Sequence, residues 1–254
     1  MTSDPTQEAG LKQEPAPEQD PPPEQEKAPD DARYLYFLLL SLVFMLLVVP
    51  LFESGLVGGS LMHVGLTAVL VTAAIASRRN HGAFAVSIFI VLIAAPLSWS
   101  TRWFDDPHPA LILASCLVEA AFFVAMATLI LIAVVRRYLA SFHAIFGAIC
   151  SYLLLGLAWA MLYLGIIQLD PDSFDPPIYI DRKADRDVSE LSTTIYFSFV
   201  TMSTLGYGDF KPQSGVARTI SWMQAVVGQF YMAVLVAWLI SEIPRRRRGE
   251  SSIC

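Results

Sequence analysis

The sequence is short of charge and of cysteine. Only 16% of its 254 residues are Asp, Glu, Lys or Arg, whereas soluble globular domains carry about 25%. Of the three cysteines, Cys116 and Cys150 lie in apolar runs and Cys254 is the last residue, so no spacing indicates a disulfide framework or a metal site. The apolar runs also lack paired aspartates, a Ser–His pair and His/Glu metal spacing. These absences exclude an ordinary soluble domain, and neither enzymatic activity, a cofactor nor a nucleic-acid partner is expected.

The acidity of the chain belongs to its first 31 residues. They contain nine acids, two lysines and seven prolines, with almost no large apolar side chain. Such a segment cannot bury enough apolar surface to offset the entropy lost on ordering, so residues 1–31 are predicted to be disordered. Composition favours a solubilising extension over a regulatory or partner-binding tail, and leaves both open.

Long apolar runs fill the rest of the chain. A helix needs about 20 mostly apolar residues to cross the hydrocarbon core of a membrane. Six runs approach or exceed that length: Tyr34–Leu51, Leu56–Ser77, Ala83–Trp99, Ala110–Val135, His143–Gln168 and Val216–Ile240. The sequence therefore predicts an all-α membrane protein with six transmembrane helices.

The arginines between the runs predict the orientation. Arg78 with Arg79, Arg136 with Arg137, and Arg245–Arg248 fall on one side if the chain threads alternately. Because Lys and Arg concentrate on the cytoplasmic side, both termini are predicted to be cytoplasmic, in the plasma (inner) membrane. For Arg245, Arg246, Arg247 and Arg248, contact with anionic lipid head groups and a simple topology anchor are equally weighted.

The linker between the last two runs differs from the others. Residues 170–188 are polar and contain proline, and Ser189–Ser203 is an apolar-leaning stretch, about 22 Å long as a helix. That is too short to cross and return, so a re-entrant helix is predicted. Thr204-Leu205-Gly206-Tyr207-Gly208-Asp209 follows. Irregular backbone is tolerated at membrane depth only where it lines a water-filled path or is buried in protein, and its two glycines accept φ values that L-residues avoid.

Residues 201–209, Thr-Met-Ser-Thr-Leu-Gly-Tyr-Gly-Asp, resemble the potassium-channel signature sequence, and the resemblance extends over roughly 142–241. It implies a tetramer in which four such loops surround one pore and backbone carbonyls replace the water around K⁺. The implied K⁺ ligands are the carbonyls of Thr204, Leu205, Gly206 and Tyr207, with the Thr204 hydroxyl. The implied filter supports are Gly208, Asp209, Tyr196, Thr201 and Ser203. Leu205 departs from the usual Val or Ile, although its side chain is expected to face outward.

Two further positions follow from this resemblance. Gly228 lies twenty residues after Gly208, where the family's inner helix carries a gating hinge; close helix packing is the alternative interpretation. Tyr196 and Phe197 stand where many members have paired aromatics, and Val200 stands where several have a carboxylate. The Tyr196 hydroxyl is therefore the expected hydrogen-bond donor to Asp209.

The first four runs lack the chemistry of a voltage sensor. Residues 110–135 contain no Lys or Arg, whereas a sensor helix carries three or four gating charges. Steep voltage dependence is not expected. Glu119 and His63 fall at similar predicted depth, and intramembrane ionisable groups are usually partnered. A structural pair is favoured over a pH-sensitive contact, and no pairing is also possible.

The predicted organisation is an acidic tail (1–31), a four-helix domain (32–138), a pore domain (139–244) and a basic tail (245–254). The predicted function is passive K⁺ conduction through a homotetramer. A non-selective cation channel is the second hypothesis, because some such channels keep Gly-Tyr-Gly. A non-conducting membrane scaffold is the third.

Overall fold

The computed structural model describes residues 30–51, 58–76, 78, 81–103, 108–137, 143–176 and 187–250. The predicted disordered tail lies almost entirely outside these residues. Seven α-helices run through the described part of the chain: α1 Asp30–Leu51, α2 Gly58–Ala76, α3 His81–Trp103, α4 Pro109–Arg137, α5 His143–Leu169, α6 Asp187–Met202 and α7 Gly215–Glu250. A short 3-10 helix, Pro171–Ser173, follows α5. Two short strands, β1 Phe174–Asp175 and β2 Lys211–Pro212, pair antiparallel.

The helices match the apolar runs of the sequence closely, and the protein is an all-α membrane protein. Within the described residues, Pro109–Val135 and Ala144–Leu169 are long and apolar enough to cross a membrane. Shorter apolar stretches occupy Arg33–Leu47, Val64–Ala76 and Phe84–Leu97. The number of six spans therefore remains a prediction.

The helix α7 continues beyond the predicted end of the last apolar run at Ile240. It passes through Pro244 and reaches Glu250, so the predicted basic tail begins as helix. The side chains of Arg245–Arg248 lie outside the described residues, and their predicted contact with lipid stays a prediction.

Helices α4 and α5 pack against each other along much of their length. The packing is close at Gly147, where an added Cβ would overlap the Val134 side chain, and the Ser151 hydroxyl donates to the Ala127 carbonyl at 3.1 Å. One apolar core joins buried side chains from α1 to α6. This packing fixes α5, which in turn contacts both α6 and α7.

Candidate ion-binding site

The helix α6 carries the candidate site at its C-terminal end. It spans 16 residues, Asp187–Met202, close to the helix predicted from the sequence. Its last turn is closed by Ser203 N donating to Phe199 O at 2.9 Å and by Thr204 N donating to Thr201 O at 3.0 Å. Thr201 and Ser203, predicted as filter supports, therefore form the turn from which the next segment departs.

The segment after α6 has an alternating backbone. Thr204, Gly206 and Gly208 have φ of 59°, 55° and 76°, whereas Leu205 and Tyr207 between them are not left-handed. Positive φ is uncommon for a residue with a Cβ, so Thr204 is a position of local strain. Alternation of positive and negative φ can turn successive peptide carbonyls toward one side of a chain. A row of carbonyl ligands would need such an alternating backbone, and the ligand role of residues 204–207 stays a prediction.

The amides at the start of this segment are bonded to α6. Leu205 N and Gly206 N both donate to the Val200 carbonyl, at 2.9 and 3.4 Å. These bonds turn the two amides back toward α6. The position of Val200 O therefore sets where the peptides of Leu205 and Gly206 lie.

Thr204 also contacts α7 through its side chain. Its hydroxyl donates to the Ser203 carbonyl at 2.7 Å and accepts from Gln229 Nε2 at 3.2 Å. A cavity of about 350 Å³ adjoins this point. The Thr204 hydroxyl, predicted as a K⁺ ligand, therefore lies beside this cavity, and the side-chain amide of Gln229 on α7 orients it.

Asp209 is bonded to Tyr196, as the sequence led us to expect. The Tyr196 hydroxyl donates to Asp209 Oδ2 at 2.6 Å, and Phe210 N donates to Oδ1 at 3.1 Å. The bond to the carboxylate raises the pKa of Tyr196 to about 12. The same bond lowers the pKa of Asp209 below its ordinary value. Both groups are exposed to solvent in the single chain.

Replacing Tyr196 tests this bond. We expect Tyr196→Phe to change the inactivation rate or the K⁺/Na⁺ flux ratio by about three- to tenfold, since the hydroxyl that holds Asp209 is lost. Tyr34→Phe, which alters a hydroxyl in α1 bonded to Arg78, is the control.

The lowered pKa of Asp209 predicts how the bond depends on pH. The bond persists above the ordinary Asp pKa and breaks only as pH falls through the lowered value. Neither Tyr196 nor Asp209 should therefore change its protonation between about pH 5 and 9, and this pair should give K⁺ flux no pH dependence in that range. If Tyr196→Phe changes neither inactivation nor selectivity, the bond has no functional role.

The chain just after the candidate site is anchored to the short segment that follows α5. Phe174 pairs with Pro212 and Asp175 with Lys211 in the small sheet. Gln213 N donates to Ser173 O at 2.7 Å. The rings of Phe174 and Phe210 stack with their centroids 4.8 Å apart. Residues 210–213 are thereby held by the segment that follows α5.

An aromatic cluster fills the space between these anchors. The Phe197 ring on α6 lies edge-on to the rings of Phe174 and Phe210 and of Tyr163 on α5. Such edge-to-face pairs stabilise by about 0.5–1.5 kcal/mol each beyond their buried area. The cluster fixes both ends of the 204–209 segment relative to α5.

Gly228 is a close-packing position. A Cβ there would overlap the Met202 carbonyl oxygen and lie 2.9 Å from Met202 Cγ, so the absence of a side chain allows α7 to touch the end of α6. The helix is continuous through this residue. The contact supports the packing interpretation, and the gating hinge stays a prediction.

The sequence also predicted an intramembrane pair of Glu119 and His63. Glu119 is buried on α4, and the side chain of His63 lies outside the described residues, so their pairing stays a prediction. Within the part of the chain that the structure describes, no three His, Cys, Asp or Glu side chains cluster as metal ligands.

One buried polar residue in contact with α6, Gln224, was not among the residues predicted from the sequence. Gln224 of α7 is fully buried and hydrogen-bonds both Tyr163 of α5 and Ser198 of α6. The available signal was a glutamine inside the apolar run Val216–Ile240, since polar side chains in such runs hydrogen-bond between helices.

The helix–loop–helix unit is similar in sequence to ion channels. Residues 153–243 match the sequence model of an ion-channel family described as "Ion channel". This match lies within the segment that resembles pore-loop potassium channels and supports that resemblance. Protein LctB of Bacillus caldotenax is 36% identical over 85 residues, which are 34% of this chain and 61% of that protein. The chain thus spans about three fifths of the length of this relative. No solved structure matches the chain significantly.

Proposed function

We propose that the protein is a potassium-selective channel subunit in which residues 204–207 supply the K⁺ ligands. The observation that carries the proposal is the alternating backbone of Thr204–Gly208 at the end of a half-length helix, with its first amides bonded to Val200 O. Carbonyl rings of this kind replace the hydration shell of K⁺. Six spans, with α6 and residues 203–209 re-entering between the last two, form part of the proposal.

A homotetramer follows from having a single such loop per chain. One loop cannot surround an ion, and four are needed to close a ring of carbonyls. Consistent with assembly, the side chains of Leu205 and Tyr207 are 55% and 67% exposed in the single chain. A stripe of exposed apolar residues also follows α7 at four-residue spacing: Trp222, Val226, Phe230 and Val234. Such stripes mark interaction surfaces or lipid contact.

Gating by membrane voltage in the usual sense is not part of the proposal. The helix α4 carries no Lys or Arg between Ala110 and Val135, so it lacks the charges that a field would move. Both termini are proposed to lie on the cytoplasmic side of the plasma (inner) membrane, where Arg245–Arg248 would face anionic lipid head groups.

A flux assay tests the proposal. We expect purified protein in liposomes to pass K⁺ at least tenfold faster than Na⁺ and to run as a tetramer in mild detergent. Equal fluxes of both ions would favour a non-selective cation channel. A stable monomer without flux would favour a membrane scaffold.

A further inference from the structure

One buried face of α7 lies against α6. Ala217, Ser221, Gln224 and Gly228 recur at intervals of four, three and four, which places them on one side of the helix, and all are buried. Three of the four are small. Gln224 is the exception, a long polar side chain with no exposed surface.

Both ends of the Gln224 carboxamide are hydrogen-bonded. Its Nε2 donates to the Ser198 carbonyl at 3.0 Å and to the Ser198 hydroxyl at 2.8 Å. Its Oε1 accepts from the Tyr163 hydroxyl at 2.6 Å. The Ser198 hydroxyl in turn donates to the Gly156 carbonyl at 2.6 Å. These four residues, which we call the Gln224 network, join α5, α6 and α7 at one point.

The network meets α6 close to the candidate filter. Ser198 precedes by two residues Val200, whose carbonyl accepts from the amides of Leu205 and Gly206. One turn further along α7, Gly228 touches Met202. Because a helix moves as a rigid piece over so few residues, a shift of α6 at Ser198 displaces Val200 O and the peptides that it holds.

Packing alone does not require a glutamine here. Replacing both partners of a buried hydrogen bond by apolar groups of the same shape can be nearly neutral for stability. What hydrogen bonds add is direction, since they hold the two helices in one register where apolar side chains could slide.

We infer that Gln224 is a positioning residue of the filter: it fixes α6 on α7, so that the filter peptides keep the geometry that selects K⁺ and respond to movement of the inner helix. This inference rests on the proposed function. The Gln224 network acts through Val200 O, and Gln224 itself touches no ion.

The experiment compares three variants of the full chain in liposomes. Gln224→Met keeps the length of the side chain and removes its polar ends. Tyr163→Phe and Ser198→Ala each remove one hydroxyl of the network. Ser41→Ala, which removes a hydroxyl at hydrogen-bond distance from Thr72 between α1 and α2, is the control. For each protein, the K⁺/Na⁺ flux ratio and the thermal stability of the tetramer are measured on the same preparation.

We expect Gln224→Met to lower the K⁺/Na⁺ flux ratio about tenfold, and the two hydroxyl variants to lower it less, while Ser41→Ala keeps the wild-type ratio. A merely structural role would change tetramer stability and total flux and leave the ratio alone, and that result would overturn the inference. If Gln224→Met does not assemble, an unchanged ratio in both Tyr163→Phe and Ser198→Ala overturns it. A wild type that passes both ions equally would instead refute the proposed function, and the inference with it.

Discussion

Replacing Gly206 by alanine should lower K⁺ flux at least tenfold. Gly206 has φ of 55°, and an L-residue held there costs roughly 1–2 kcal/mol. Four copies around one pore would cost about 4–8 kcal/mol, comparable to the whole stability of many domains. In the single chain nothing lies within 4 Å of the added methyl group. The effect is therefore conformational: the alternating backbone relaxes and its carbonyls leave the ion path.

Gly215→Ala is the matched control for this variant. Gly215 also has open space around it, but it begins α7 without a positive φ. Its replacement should leave K⁺ flux and tetramer assembly as in the wild type. Equal K⁺ flux for Gly206→Ala and the wild type, measured in liposomes of the same protein content, would contradict the assignment of residues 204–207 as K⁺ ligands.

The second large effect is expected for Gly228→Ala. The new methyl group would overlap the Met202 carbonyl oxygen, and backbone cannot move aside as a flexible side chain can. Overpacking of this kind costs about 1–3 kcal/mol per site. Because Met202 ends the helix that carries the filter, we expect a lower K⁺/Na⁺ flux ratio and a less stable tetramer, with K⁺ flux reduced about tenfold.

The same variant separates the two interpretations of Gly228. A residue that served only as a hinge would, when stiffened to alanine, lower the open probability and leave both selectivity and tetramer stability unchanged. Single-channel recording gives open probability and selectivity together, and thermal unfolding of the tetramer gives stability. Unchanged selectivity and stability with reduced opening would refute the packing interpretation.

The helices could be predicted because each corresponds to one contiguous stretch of mostly apolar sequence. The apolar runs predicted α1 to α5 to within a few residues, and the half-length stretch before Thr204 predicted α6. The Tyr196–Asp209 bond could also be anticipated, since the resemblance narrowed the donors to one side chain. Glycine at 206 and 208 allowed a left-handed conformation there, whereas the positive φ of Thr204 was not predicted.

Contacts between distant helices could not be predicted in this way. The Gln224 network joins residues from 156 to 224, and nothing local to Gln224 says which helix faces it. The same holds for Phe174 stacking on Phe210, since the residues that bring them together belong to β1 and β2, strands of two residues. Such short strands have no periodicity for a sequence pattern to show.

The reversal potential of single channels between K⁺ on one side of a planar bilayer and Na⁺ on the other tests the central claim most directly. If residues 204–207 form a filter that prefers K⁺ at least tenfold, the reversal potential should lie at least about 59 mV from zero, in the direction that opposes K⁺ flow. Gly215→Ala should match the wild type. A reversal potential near zero, with clear single-channel currents carried by both ions, would contradict the account.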